Sequence, residues 1–261
     1  MNISLKGKTA LVCGASQGIG LAAAQELALL GAGCILVSRS AQQLEQAVRT
    51  LETHEGQQHA FIAADLGQLA QVQGLVQTLQ GVLPIHILVN NSGGPKSGPI
   101  LDAPPEAFTQ GFAQHVVTSQ LLTQALVPGM KAEGYGRIIQ VISTSVKTPL
   151  KKLGVSNTVR AAVASWAKTM AGELAPFGIT VNNVLPGSTQ TARLESIFTA
   201  TAQQRGVDRS VIEKEWLAEI PAGRFGTASE IGAAIAFLAT PAASYITGIN
   251  VPVDGGRTPA L

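Results

Sequence analysis

Short apolar runs and longer segments of helical period alternate along the chain from end to end. Ala10–Cys13 is continuously apolar and reads as a buried strand. It runs into glycines at 14, 18 and 20, after which Ile19, Leu21, Ala24, Leu27 and Leu30 recur at helical spacing. The same alternation continues with predicted strands at 34–38, 60–64, 85–89, 137–142, 179–185 and 249–253. Helices are predicted at 41–54, 69–79, 105–132, 155–175 and 229–239. Strand and helix in strict turn predict an α/β fold, a doubly wound (Rossmann) parallel sheet of seven strands with helices on both faces. Residues 188–222 break the rhythm. They are polar and helical, and read as an insertion over the carboxyl edge of the sheet, with Phe198, Trp216, Leu217 and Ile220 either lining a substrate site or packing the insertion onto the body. No repeat or linker divides the 261 residues, so one domain is expected over 1–261.

Composition narrows the function classes. Hydrophobic residues make up 46% of the chain and charged ones 13%, enough apolar material for a sizeable core. A net charge of +2, with no basic run longer than Lys151–Lys152, argues against nucleic acid and membrane surfaces as partners. The N-terminus lacks a signal-peptide layout and no apolar stretch reaches the ~18 residues of a membrane span, so a cytoplasmic location is expected. Cys13 and Cys34 fall on the first two strands and read as buried thiols rather than a disulfide or metal pair; no metal site is expected.

In a doubly wound sheet ligands bind beyond the carboxyl ends of the strands. The turn Gly14–Gly20 between a strand and a helix N-terminus suits a pyrophosphate, because glycine lets backbone N–H groups approach and the helix end carries partial positive charge. The second strand ends Ser38-Arg39-Ser40, a cation and two hydroxyls where NAD-preferring enzymes usually carry an acid. Arginine pairs with phosphate through two parallel charge-assisted bonds, which favours NADP(H) over NAD(H); the alternative is an ordinary surface arginine. Asp65, followed by Leu66, either bonds an adenine amine or caps the next helix. Asn90 and Asn91 end the fourth strand, making a turn or admitting a flat ring.

Over nearly its whole length the chain resembles the short-chain dehydrogenase/reductase family. The matching segments are 14–20 (GASQGIG), 90–93 (NNSG), 136–139 (GRII), 181–187 (VNNVLPG) and 253–256 (VDGG). The segments 221–226 and 245–248 look most like the 3-oxoacyl-acyl-carrier-protein reductase branch. The resemblance implies that Gly14, Ser16, Gln17, Gly18, Ile19 and Gly20 surround the pyrophosphate. It implies that Asn91, Ser92 and Gly93 contact the ribose, and Pro186, Gly187, Thr189 and Thr191 the nicotinamide end. It also implies a homo-oligomer, a dimer or a tetramer built on 105–132 and 155–175.

The family's catalytic Asn, Ser, Tyr and Lys are matched at one position. Ser143 stands at the serine, but Tyr-x-x-x-Lys falls on Ser156 and Arg160, and the asparagine on His115. Carbonyl reduction needs a proton donor, and a serine hydroxyl is a far weaker acid than a tyrosine beside a cation. His115, with an ordinary pKa near ~6.5, either donates the proton or is a histidine satisfied by its helix backbone. Alternatively, Ser143 and Ser156 only orient a substrate activated by its own carboxylate or thioester. Lys147, Lys151 and Lys152 border this region, facing an anionic substrate, a carrier-protein surface or solvent. Three functions stay open: an NADP(H)-dependent oxidoreductase of carbonyls and alcohols with an altered proton path, a redox-silent cofactor-binding protein, and a non-redox lyase or cyclase.

Overall fold

The central strands are largely apolar and buried on both faces, and alternate their side chains between two helical layers. In the computed structural model, which describes residues 1–82 and 84–260, the sheet contains β1 (Thr9–Cys13), β2 (Gly33–Ser38), β3 (Ala60–Ala63), β4 (Ile87–Asn90), β5 (Gly136–Val141), β6 (Ile179–Pro186) and β7 (Asn250–Val253). All seven are parallel, in the order β3-β2-β1-β4-β5-β6-β7. Ala10 and Val12 of β1 face α1 (Gly18–Leu29), α2 (Ala41–Val48) and the C-terminal α9 (Ala228–Ala239), joining a core with Leu27, Leu44 and Ile235. Leu11 and Cys13 face α3 (Leu69–Leu79), α5 (Thr118–Ala132) and α6 (Gly154–Leu174), packing with Leu75, Leu122 and Ala167. Burial of both faces is why parallel strands read as continuous apolar runs. The strand order reverses between β1 and β4, and that crevice is where such sheets bind ligands.

Two predicted elements are altered. The helix expected over 41–54 stops at Val48, where the Thr50 hydroxyl takes the Ala47 carbonyl and the chain turns toward β3. The long helix expected over 105–132 divides into α4 (Pro105–Phe112) and α5, joined by a π-helical turn at Ala113–Val117. Such a turn shifts the backbone bonding by one residue. The hydroxyls of Thr118 and Ser119 bond back to the Ala113 and His115 carbonyls within it.

The segment 188–222 folds as α7 (Ala192–Arg205) and α8 (Arg209–Ala218) around a small core of its own, made of Leu194, Phe198, Ala202 and Ile212. Phe198 is fully buried there, edge-to-face with Trp216 at 5.3 Å. Both aromatics pack within this small core. Arg257 from the C-terminal tail lies 5.5 Å from the Trp216 ring and donates to Glu219 and to Ser188 Oγ.

Candidate active site

The glycine turn is shaped by contacts that leave no room for side chains. Gly14 and Gly18 have φ of +60° and +59°, a region that favours glycine. A Cβ on Gly14 would stand 2.6 Å from the Asn91 carbonyl oxygen, and one on Gly20 would overlap the Gly14 carbonyl. Asn91 Nδ2 donates to the carbonyls of Cys13 and Gly14, both at 3.3 Å, tying the end of β4 to the end of β1 across the reversal of strand order. Gln17 precedes α1 without a side-chain capping bond, and no acid sits in the first turn. Backbone N–H groups and the positive end of the helix dipole therefore remain for an anion, and the cradle fits a pyrophosphate. Ser16 and Ile19 belong to the same turn. Thr191 approaches it from the other side, its Cγ2 at 3.5 Å from where a Gly18 Cβ would be, while its Oγ1 caps α7 by accepting from Leu194 N. Pro186 ends β6, Gly187 packs too tightly on Asp254 for any side chain, and Thr189 Oγ1 donates to the Gly187 carbonyl.

At the end of β2, Ser40 caps α2 by accepting from Gln43 N at 3.3 Å. Ser38 closes the strand, and Arg39 is exposed with no hydrogen bond or ion pair among the described residues. Asp65 does not cap a helix. Its Oδ1 accepts from Gly67 N at 2.9 Å to form the turn after β3, and Gln68 occupies the position before α3. The neighbouring Leu66 is buried, its carbonyl accepting from Thr118 Oγ1.

The catalytic candidates gather at the ends of β4 and β5 and the start of α6. Ser143 begins a short 3-10 turn, its Oγ accepting from Ser145 N at 3.1 Å. Ser156 and Arg160, one helical turn apart on α6, both flank Gly94: a Cβ there would lie 3.9 Å from Ser156 Oγ and 3.6 Å from Arg160 Nη2. Arg160 is buried, donating to the Val141 carbonyl at 2.8 Å and the Ser92 carbonyl at 3.3 Å, with no carboxylate partner among the described residues. Burial draws its pKa down to about 10, so it stays a cation at neutral pH. The π turn carries His115 inward, where Nδ1 lies 3.0 Å from Ser92 Oγ.

Burial foremost, and then the Arg160 charge, draw the His115 pKa down to about 3, so the ring is neutral at pH 7. The ring is not satisfied by its helix, since Nε2 has no partner in the protein. Neither tyrosine substitutes. Tyr135 donates to the Ala239 carbonyl beside the amino end of β5, and Tyr245 is fully exposed. One residue that the sequence reading left out joins the site: Gln140, paired with Asn90 across β4 and β5, both with buried amide groups. A glutamine inside a buried strand was the available signal.

The family model for enoyl-(acyl carrier protein) reductase matches residues 14–258. A tropinone reductase homologue of Arabidopsis thaliana is 32% identical over 98% of this chain and 92% of its own. The L-sorbose reductase of Gluconobacter frateurii, solved with NADPH and L-sorbose, superposes with a TM-score of 0.93 at 31% identity over the whole of both chains. An NADPH-dependent reductase of bacilysin biosynthesis superposes at 0.91 with 29% identity, over 97% of this chain and 99% of that one. Matched by that family model over residues 14–258 and by relatives above 30% identity over nearly all of both chains, the chain belongs to the short-chain dehydrogenase/reductase family of oxidoreductases.

Proposed function

We propose that the protein is an NADP(H)-dependent reductase of carbonyls, or dehydrogenase of alcohols, that works without the family's tyrosine. The observation that carries this reading is Arg160, a buried cation lying beside Ser156 at the foot of an intact dinucleotide cradle. Gly14 to Gly20 with the start of α1 would hold the pyrophosphate, and Asn91, Ser92 and Gly93 the ribose. Ser38, Arg39 and Ser40 would hold a 2′-phosphate, Asp65 and Leu66 border the adenine, and Pro186, Gly187, Thr189 and Thr191 the nicotinamide end. When bound, the cofactor supplies or accepts the hydride.

The chain's own residues orient and polarise. Ser143 and Ser156 present hydroxyls to the substrate oxygen, and the fixed charge of Arg160 stabilises negative charge developing nearby. A serine hydroxyl does not ionise at neutral pH, so these groups hold the reacting oxygen rather than act as strong acids. Residues 188–222 would close over the substrate as a lid stiffened by its own core. The NADPH bound by the sorbose reductase and the NADPH dependence of the bacilysin-pathway enzyme support the cofactor preference. The assembly is a homo-oligomer acting on a small molecule in the cytoplasm. A redox-silent cofactor-binding role is the second reading, favoured by a neutral His115 and by Tyr135 and Tyr245 both lying elsewhere.

Titration of the purified protein with NADPH and NADH separately, by nicotinamide fluorescence and calorimetry, tests the cofactor assignment. NADPH is expected to bind the more tightly, and Arg39→Asp to reverse the order; NADH preference in the parent overturns Arg39 as the phosphate contact. A carbonyl panel then separates the two readings. Turnover that Ser143→Ala lowers by about 10²-fold or more supports the oxidoreductase. Tight NADPH binding with no turnover supports the silent protein, and undiminished turnover in the variant removes Ser143 from the mechanism.

A further inference from the structure

Behind Ser92 and Arg160 lies a cavity of about 20 Å³, walled by Asn90, His115, Ser119 and Gln140. Three of these side chains are more than nine-tenths buried and keep a polar atom with no partner in the protein: Asn90 Nδ2, His115 Nε2 and one end of the Gln140 amide. Buried polar groups left unpaired cost about 1–3 kcal/mol each, so three around one cavity call for a shared partner. A water needs about 10–15 Å³, and the cavity has room for one.

The hydrogen-bond directions decide what occupies it. Ser119 has one hydroxyl proton, and its 2.6 Å contact with the His115 carbonyl takes it. Toward Gln140, 3.2 Å away, Ser119 Oγ can then only accept. Gln140 must present its NH₂ end to Ser119, which turns its carbonyl oxygen toward the cavity. His115 Nδ1 lies 3.0 Å from Ser92 Oγ, and Nε2 has no partner in the protein. With the ring proton on Nδ1, toward Ser92, Nε2 offers a lone pair to the cavity. Around the cavity stand one donor, Asn90 Nδ2, and two acceptors, Gln140 Oε1 and His115 Nε2. An anion would meet two lone pairs, whereas a water accepts one bond and donates two.

We infer that this cavity is a built single-water site, and that the water locks His115 as the Nδ1–H tautomer so that the Ser92 hydroxyl must donate into the cleft. Ser92 Oγ accepts from Nδ1–H, and its own proton is left to bond an oxygen of whatever lies against the loop at 91–94. His115 and Gln140 are thereby positioning residues acting through Ser92. The inference rests on the proposed placement of ligand against Ser92, but not on hydride transfer.

The test uses the intact protein without substrate. Nitrogen-15 NMR of the histidine ring, assigned with His115→Gln, is expected to show a protonated Nδ1 and an unprotonated Nε2 at neutral pH. A crystal structure at high resolution is expected to show one water bonded to Asn90, His115 and Gln140, and bromide soaking is expected to leave no anomalous peak there. An Nε2–H tautomer, an empty cavity or a bromide peak overturns the inference. For the link to Ser92, His115→Leu is expected to weaken NADPH binding by about tenfold, with His115→Gln, which keeps an N–H donor, recovering part of the loss. Equal losses in the two variants overturn the positioning role. If the parent shows the water and the Nδ1–H tautomer but reduces no carbonyl, the oxidoreductase reading fails and this inference stands. An Nε2–H tautomer in an active reductase fails the inference alone.

Discussion

Arg160 carries a charge into the interior and spends its N–H groups on two backbone carbonyls, those of Val141 and Ser92. These are the ends of β5 and the loop after β4, so one guanidinium joins two walls of the site. Arg160→Met strands both carbonyls and is expected to lower stability by at least about 1 kcal/mol in chemical denaturation and to weaken NADPH binding. Arg160→Lys keeps the charge but not the fork, and should fall between the two. His115 makes a second prediction. Its folded pKa of about 3 lies below the ordinary 6.5, so the unfolded chain binds more protons across that window and stability falls as pH drops through it. The slope due to this residue reaches about 1.4 kcal/mol per pH unit. Urea denaturation from neutral to acid pH should show a shallower decline in His115→Gln than in the parent. An equal decline would mean that the ring is accessible to protons in the folded state.

At the scale of elements, the glycine turn and the α7–α8 segment behave in opposite ways. The turn is rigid because Gly14, Gly20 and Asn91 interlock, and a methyl group at Gly20 displaces the Gly14 carbonyl from its bond with Asn91. Gly20→Ala is therefore expected to weaken NADPH binding by tenfold or more, while circular dichroism reports an intact sheet. The α7–α8 segment holds together through its own core and the Arg205–Glu215 pair, apart from the two layers against the sheet. Phe198→Ala removes the centre of that core, at a cost of about 3–5 kcal/mol. Hydrogen exchange should then rise across 192–218 and stay unchanged in β1 and β4; a global loss of protection would show that the segment is not a separate cooperative unit. These aromatics mark where pattern reading stops. A helix shows the same apolar period whether its stripe faces a ligand or a neighbouring helix, so Phe198 and Trp216 fit both roles until their neighbours are known.

For the molecule as a whole, the two sheet faces bury Cys34 and Cys13 in different layers, and desolvation raises each thiol to about 12. A thiol reagent at neutral pH should label neither cysteine in the native protein and both after denaturation, making labelling a reporter of global opening. The strands of the parallel sheet and the two-layer core were legible in the sequence because burial on both faces of a parallel sheet forces long apolar runs, and glycine punctuates where the backbone must turn left-handed. The sequence by itself therefore determined the architecture and the glycine cradle. Only the tertiary structure decided the electrostatic state of the site. The pKa of His115 depends on its burial and on a cation 45 positions away in the chain. The cavity beside it depends on a π turn and on the register that sets Asn90 beside Gln140. Local propensity encodes neither, because desolvation and charge act through space and are fixed only once distant segments pack.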